Sequence, residues 1–271
     1  MTVIASNVSA LRAQNASNVA NQGLSQAMER LSTGKRINSA KDDAAGLAIA
    51  TKMTAEVRGL TAARRNANDG ISLAQTAEGA LGDISNMLVR MKELAVQSAN
   101  GTNDTAARNN LQAEVTALLA QVAKVAKQEF NGVDLFGATA TNIQVGTGST
   151  DIVAIDTSDV ATALDALATA APAIGGDGTG TTAAMTALDT ALEAVATGRA
   201  NLGAVQSRLE SAANNLTSTI TNLSDARSRI EDADFSEEST ALAKNQILSQ
   251  ASTAMLAQAN QSQQGVLSLL R

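Results

Sequence analysis

The chain contains no His, Cys, Trp or Tyr, only three Phe, and a single proline, Pro172, among its 271 residues. Each absence removes a class of function. Without His there is no side chain that ordinarily titrates near neutral pH, so a Ser-His-Asp triad is excluded; without His and Cys the usual zinc ligands and the thiolate nucleophile are missing too. No catalytic site, metal or cofactor is expected. The lack of Cys fits a reducing compartment and equally a protein exported unfolded. The scarcity of aromatics removes the side chains that normally fill a compact centre, whereas long helices meeting along narrow Ala/Leu seams do not need them. Clustered positive charge is also lacking. The net charge is -6 and the Lys and Arg residues are scattered, so nucleic acid is not an expected partner. No run is long and apolar enough to span a bilayer, and Met1 to Gln14 has no apolar stretch of a secretory signal. A membrane is therefore not expected either.

What remains is dominated by Ala, Leu, Gln, Asn, Ser and Thr, arranged in a helical period. In a first segment Val8, Leu11, Leu24, Met28 and Leu31 fall at steps of three and four or their multiples. Gly34 follows as a helix C-cap would, with Lys35 and Arg36 suited to the negative helix end. Lys35 to Lys41 reads as a linker, and Asp42 and Asp43 as N-caps of a second helix. Its seam, from Met53 through Leu60, Ala67, Ala74, Leu81, Leu88 and Met91 to Ala95, predicts an unbroken helix of roughly 80 Å. Gly59, Gly70, Gly79 and Gly82 would each weaken it by about 1 kcal/mol relative to Ala unless close packing explains them.

The turn cluster Asn100 to Asp104 should fold a third helix, carrying Leu111, Val115, Leu118, Val122 and Val125, back antiparallel on the second. The clearest signal follows it. Met185, Leu188, Leu192, Val195, Arg199, Leu202, Gln206, Leu209, Ala213, Leu216, Ile220, Leu223, Arg227 and Ile230 keep one 3-4 spacing, a heptad seam with three polar members. A final helix places Ala241, Leu248, Ala251, Met255 and Leu269 on one stripe, with Leu242 beside it. Between the third and fourth helices, Asn142 to Val145 and Asp151 to Ile155 read as a hairpin closed by Gly146 to Thr150. Ala170 to Thr182 reads as a flexible linker or exposed loop.

The predicted fold is mainly α: a long antiparallel helical rod, coiled-coil-like, with a small β-hairpin region in the middle of the chain. The expected divisions are 1–43, a terminal helix and linker; 44–130, half of the rod; 131–182, hairpin and central region; 183–230, the long C-terminal rod helix; and 231–271, a terminal helix. The terminal stripes have too few partners inside one subunit, so their burial would come from neighbouring copies.

Several long motifs, in order, carry a family resemblance. Leu31-Ser32-Thr33-Gly34-Lys35-Arg36-Ile37-Asn38-Ser39-Ala40-Lys41-Asp42-Asp43-Ala44-Ala45-Gly46, then Arg90 to Asn100, Phe130-Asn131-Gly132, and Arg229-Ile230-Glu231-Asp232-Ala233-Asp234-Phe235 resemble the signatures of bacterial flagellins. The resemblance covers nearly the whole chain and implies a short form lacking large variable outer domains. It implies export unfolded through a flagellum-specific type III apparatus and self-assembly into the extracellular filament used for swimming. Residues 1–43 and 231–271 would then form the inner tube and the rod helices the outer tube. The implied partners are many copies of the chain, hook-junction and cap proteins, an export chaperone, and a vertebrate Toll-like receptor reading Arg90, Leu94 and Glu114. Arg90 and Leu94 lie four apart, and the turn at Asn100 brings Glu114 back alongside. A hook-associated or cap-like role and a secreted adhesin using the central loop are the alternative readings.

Other patterns are bland. Gly34-Lys35 lacks the upstream Gly and following Ser or Thr of a phosphate loop. Gly175 to Gly180 carries one Gly/Asp motif without repetition and reads as a loop. The paired acids Asp42-Asp43 and Glu237-Glu238 read as helix caps or solvated groups.

Overall fold

The computed structural model describes residues 6–268. Their helices are α1 Val8–Thr33, α2 Ala44–Ser98, α3 Thr105–Ala126, α4 Ser158–Ala170, α5 Thr181–Glu231 and α6 Phe235–Ser268, with strands β1 Glu129–Phe130, β2 Val133–Asp134, β3 Thr141–Gln144 and β4 Ile152–Ile155. The fold is mainly α, with two small antiparallel hairpins in the middle of the chain. The chain divides into two compact units, residues 1–55 with 222–271, and residues 56–221.

In the first unit α1 and α6 run antiparallel. Asn7 Nδ2 donates to the Ala259 carbonyl, Ser249 Oγ to Asn21 Oδ1, and Arg30 faces Glu238 at 3.6 Å. The seam is made of small residues: Ala20 and Ala27 are buried, and a Cβ on Gly23 would meet the Asn245 side chain at 2.7 Å. Local chemistry sets the helix ends. Asn7 Oδ1 accepts from Ala10 N, Gly34 adopts φ 71° and donates to Arg30 O, and Asp234 Oδ1 accepts from Ser236 N to open α6.

The stretch expected to be a linker, Lys35 to Lys41, is pinned. Lys35 pairs with Asp232 in an antiparallel bridge, Arg36 N donates to Glu231 O at 2.7 Å, and Ala233 N donates to Gly34 O at 3.0 Å. Lys35 Nζ reaches the Glu231 carboxylate and Ile37 is buried. Backbone groups in this segment therefore find partners at the α5–α6 junction, as buried and half-buried backbone must.

The second unit is a bundle. Arg90 and Ser98 on α2 meet Glu114 and Arg108 on α3, while Lys92 meets Asp189 and Glu78 meets Gln206 on α5, so α2 runs antiparallel to both. Its core is an aliphatic cluster including Leu81, Ile84, Leu88 and Met91 of α2, Val115 and Val122 of α3, and Leu188, Leu202 and Leu209 of α5. The β3–β4 hairpin pairs Thr141 with Ile155 and Gln144 with Ile152, as its alternation predicts. It lies against α2, where Asn66 Nδ2 donates to Gln144 O. Close approach explains three of the five α2 glycines: a Cβ on Gly46 would sit 2.7 Å from Ile37, one on Gly59 2.7 Å from Thr147, and one on Gly70 3.0 Å from Ile143, whereas Gly79 and Gly82 have open space.

Three expectations are corrected. First, the middle of the chain is not only β-like. Ser158–Ala170 forms α4, burying Val160, Leu164 and Leu167. Second, the α5 seam shifts where α4 packs: Ala191 and Gly198 take deep positions, Leu192 is half-buried and Arg199 exposed. A Cβ on Gly198 would lie 2.3 Å from Val160 Cγ2, so only glycine lets α4 approach that closely. Third, Ala170 to Thr182 is not a free loop. Gln112 Oε1 accepts from Ile174 N and Gly175 N, Gln112 Nε2 donates to Pro172 O, Asn109 accepts from Gly176 N, and Arg108 Nη1 donates to Asp177 O. Ile174 is fully buried, and Ser98 Oγ donates to its carbonyl.

Candidate assembly and recognition surfaces

The α1–α6 pair buries small side chains and leaves large ones outside. Of the residues marked as an assembly stripe, Leu24 and Leu31 are half-buried toward α6, while Val8, Leu11 and Met28 are exposed, Leu11 at 64%. On α6, Leu242 is half-buried, Leu248 and Met255 are exposed, Met255 at 64%, and Leu269 lies outside the described residues. The marked residues thus do not share one face. The seam is Ala20, Ala27 and neighbours, too small to register as a hydrophobic stripe, and the long apolar side chains point elsewhere. Val19 and Ile247 are further exposed apolar residues missed by reasoning from the stripe.

Between the two helices runs an open apolar trough. One part, of about 480 Å³, is lined by Ala13, Ala16, Leu248, Ala251 and Met255; a second, of about 420 Å³, continues past Val19 and Asn245, and Arg12 lines both. A separate polar groove runs between α1 and the 39–42 turn, lined by Asn18, Asn21, Gln22 and Gln26. In that turn the Asp42 carboxylate accepts from Ser39 N, Ser39 Oγ and Asn38 N, and these bonds, the Ser39 backbone bond foremost, hold it below its ordinary 3.8.

In the second unit Arg90 Nε and Nη2 both donate to Glu114 Oε1, at 3.0 and 2.9 Å, and Nη1 donates to Glu93 at 3.2 Å. These bonds, Glu114 first, raise the guanidinium above its ordinary value. The pair stands on the surface as the α2–α3 turn requires. Leu94 does not stand beside it. It is 1% exposed and belongs to the core cluster, so it cannot act as an exposed apolar plug. Four residues along α2 turn its side chain roughly 40° from that of Arg90, enough to carry it inside. The exposed apolar residues on this stretch are Val89 and Val96. The rod-seam residues Leu188, Leu202, Leu209 and Leu216 are buried, and Leu192, Ile220 and Leu223 half-buried. Among the described residues no group of His, Cys, Asp or Glu could hold a metal ion, and no helix is long and apolar enough to cross a membrane.

Exposed apolar side chains along paired helices mark surfaces that other molecules cover; the class this geometry defines is a helical protein with interaction surfaces on its terminal helices. Comparison with known proteins gives the family. A family model for the bacterial flagellin N-terminal helical region matches residues 4–141, and one for the bacterial flagellin C-terminal helical region matches residues 185–270. The chain belongs to the bacterial flagellin family. Flagellin of Salmonella muenchen is 51% identical over 160 residues, 58% of this chain and 32% of that protein. Flagellin of Xenorhabdus nematophila is 50% identical over 151 residues, 55% of this chain and 48% of that protein. The crystal structure of Bacillus cereus flagellin matches with a TM-score of 0.48 and 31% identity, over 60% of this chain and 94% of that one. The matches thus span about a third to a half of the curated relatives' length.

Proposed function

We propose that the chain is a structural subunit that is exported unfolded and polymerises into the extracellular bacterial flagellar filament. Residues 1–43 and 231–271 would line the inner tube and the helices of 44–130 and 183–230 the outer one. The observation that carries this reading is the inverted α1–α6 pair, with alanines inside and Leu11, Met28, Ile247 and Met255 outside. A pair that keeps its largest apolar side chains in water gains most from being covered by copies of itself. Hook-junction and cap proteins would meet the same surfaces at the ends of the polymer, and an export chaperone would hold them before assembly. Electron microscopy of the purified chain, seeded with sonicated polymer, tests the reading: filaments that elongate support it, and a chain that stays monomeric under all seeding conditions removes it.

The Toll-like receptor expected from the family resemblance would read the exposed Arg90–Glu114 pair, with Val89 rather than Leu94 as the apolar neighbour. A receptor-reporter assay with wild-type and Arg90→Ala monomers tests this, and equal signal from the two removes the site.

A further inference from the structure

The acidic and basic residues of the first unit are segregated. Residues 1–28 and 239–271 contain no Asp or Glu, and their side-chain cations are Arg12, Lys244 and Arg271. At the other end of the α1–α6 pair, Glu231, Asp232, Asp234, Glu237 and Glu238 crowd around Phe235. That phenylalanine is one of three aromatic residues in the chain and is 73% exposed at the first position of α6. Phe136, by contrast, is buried. A lone exposed ring, in a protein that uses so few, needs a reason beyond chance surface apolarity.

Partners inside the molecule are already assigned to four of the five acids. Glu231 takes Lys35, Glu238 takes Arg30, Asp232 accepts from Ser228 Oγ, and Asp234 caps α6. Glu237 alone has no side-chain hydrogen bond or ion pair among the described residues, and it is exposed two residues after Phe235. At the opposite end Arg12 is likewise exposed, its side chain without an ion pair or hydrogen bond among the described residues, and it lines the apolar trough. The trough's volume of about 480 Å³ is ample for one aromatic ring, since a cavity of roughly 150 Å³ takes benzene.

From this complementarity we propose that Phe235 of one copy seats in the trough of another, between Ala16, Leu248 and Met255, with Glu237 pairing to Arg12. The occupant is a second copy because the molecule cannot fill its own trough. Phe235 and Ser252 lie on the same helix, roughly 25 Å apart at 1.5 Å per residue. Knob and socket are different patches at different ends of one helix pair. The contact is therefore heterologous, and a heterologous contact that does not close into a ring propagates without limit. The proposal rests on the filament reading above and names the residues that join one copy to the next.

The test uses the full-length chain, seeded polymerisation and the critical concentration as readout. Arg12→Glu and Glu237→Arg alone should each raise the critical concentration roughly fivefold, as loss of a close interfacial charge pair does. The double variant Arg12→Glu/Glu237→Arg should restore it to within about twofold, because the pair is re-formed with its charges exchanged. Phe235→Ala should raise it roughly thirtyfold, the scale of a buried aromatic anchor. As a measurement independent of folding damage, a benzophenone amino acid placed at position 235 is irradiated in assembled filaments and the adducts are mapped by mass spectrometry. Adducts on the Leu248 to Met255 segment of another copy are expected. Adducts mapping elsewhere, or a double charge variant no better than its worse parent, would overturn the contact. In either case wild-type filaments leave the polymerisation reading intact, while absence of wild-type filaments overturns both.

Discussion

Gly79 sits in the interior of α2 with nothing within 4 Å of where a Cβ would go, whereas Gly198 on α5 would bring a Cβ to 2.3 Å from Val160. One residue type therefore has opposite consequences at two helical sites. Gly79→Ala should stabilise the monomer by about 0.5–1 kcal/mol, by helix propensity and a restricted unfolded chain. Gly198→Ala should destabilise it by about 1–3 kcal/mol by prising α4 from α5. Thermal melts of the two variants should move in opposite directions; movement in the same direction would contradict the packing of α4. Leu209, fully buried in the seam, should cost about 2–5 kcal/mol when replaced by Ala. Replacement by Asp should remove the cooperative transition of the bundle, since an unpaired carboxylate cannot be accommodated there.

Asp42 offers a pH test at the same scale. Its folded-state value is depressed below 3.8 by the amide and hydroxyl of Ser39, so its contribution to the 38–42 turn is present above the ordinary carboxylate value. It is lost as pH falls through the lower folded value. Protection of the Ser39 amide, relative to an unstructured amide at the same pH, should persist through mild acidity and fall only below the ordinary 3.8; an Asp42→Asn variant should lose that dependence.

At the scale of elements, the two terminal helices differ from the bundle in what they bury. The fully buried residues of α1 are Ala20 and Ala27, in a helix of 26 residues. Ordering a residue costs about 1–2 kcal/mol of backbone entropy, which two buried alanines and a few side-chain bonds do not offset by much. Hydrogen exchange should therefore find α1 and α6 weakly protected in the monomer and strongly protected in the polymer. Strong protection of both in a verified monomer would remove this expectation. The 171–180 strap is the opposite case, a Gly-rich segment held by side chains of α3. Gln112→Ala deletes three of its bonds at once and should make limited proteolysis cut between Pro172 and Gly180 while leaving the helical content of the bundle unchanged.

For the molecule as a whole, the division into two units predicts separable failures. Residues 56–221 hold nearly all of the large buried side chains, and residues 1–55 with 222–271 hold the inverted helix pair. Removing residues 1–33 or 235–271 should abolish polymerisation in a light-scattering assay yet leave the thermal transition of the bundle in place. A truncated chain that still elongates filaments would place the assembly surface elsewhere.

What the sequence determined by itself was everything governed by period and by absence. The heptad of α5, the continuity of α2 without a proline, the caps at Gly34 and Asp43, and the alternation of the β3–β4 hairpin are local signals that packing did not override. The lack of His and Cys bounded the chemistry before any fold was known. Tertiary structure alone decided which face each helix turned inward. Alanine and glycine carry little hydrophobic signal, so the α1–α6 seam and the deep places of Ala191 and Gly198 were hidden, and Leu94 was read as a surface residue although it is buried. The spacing Val160, Leu164, Leu167 was present for α4 but lay in a stretch expected to be β-like. The strap was read as a loop because its order comes from Arg108, Asn109 and Gln112, residues more than sixty positions away. Such partners are chosen by the fold: side-chain bonds across that separation leave no periodic trace in the chain that makes them.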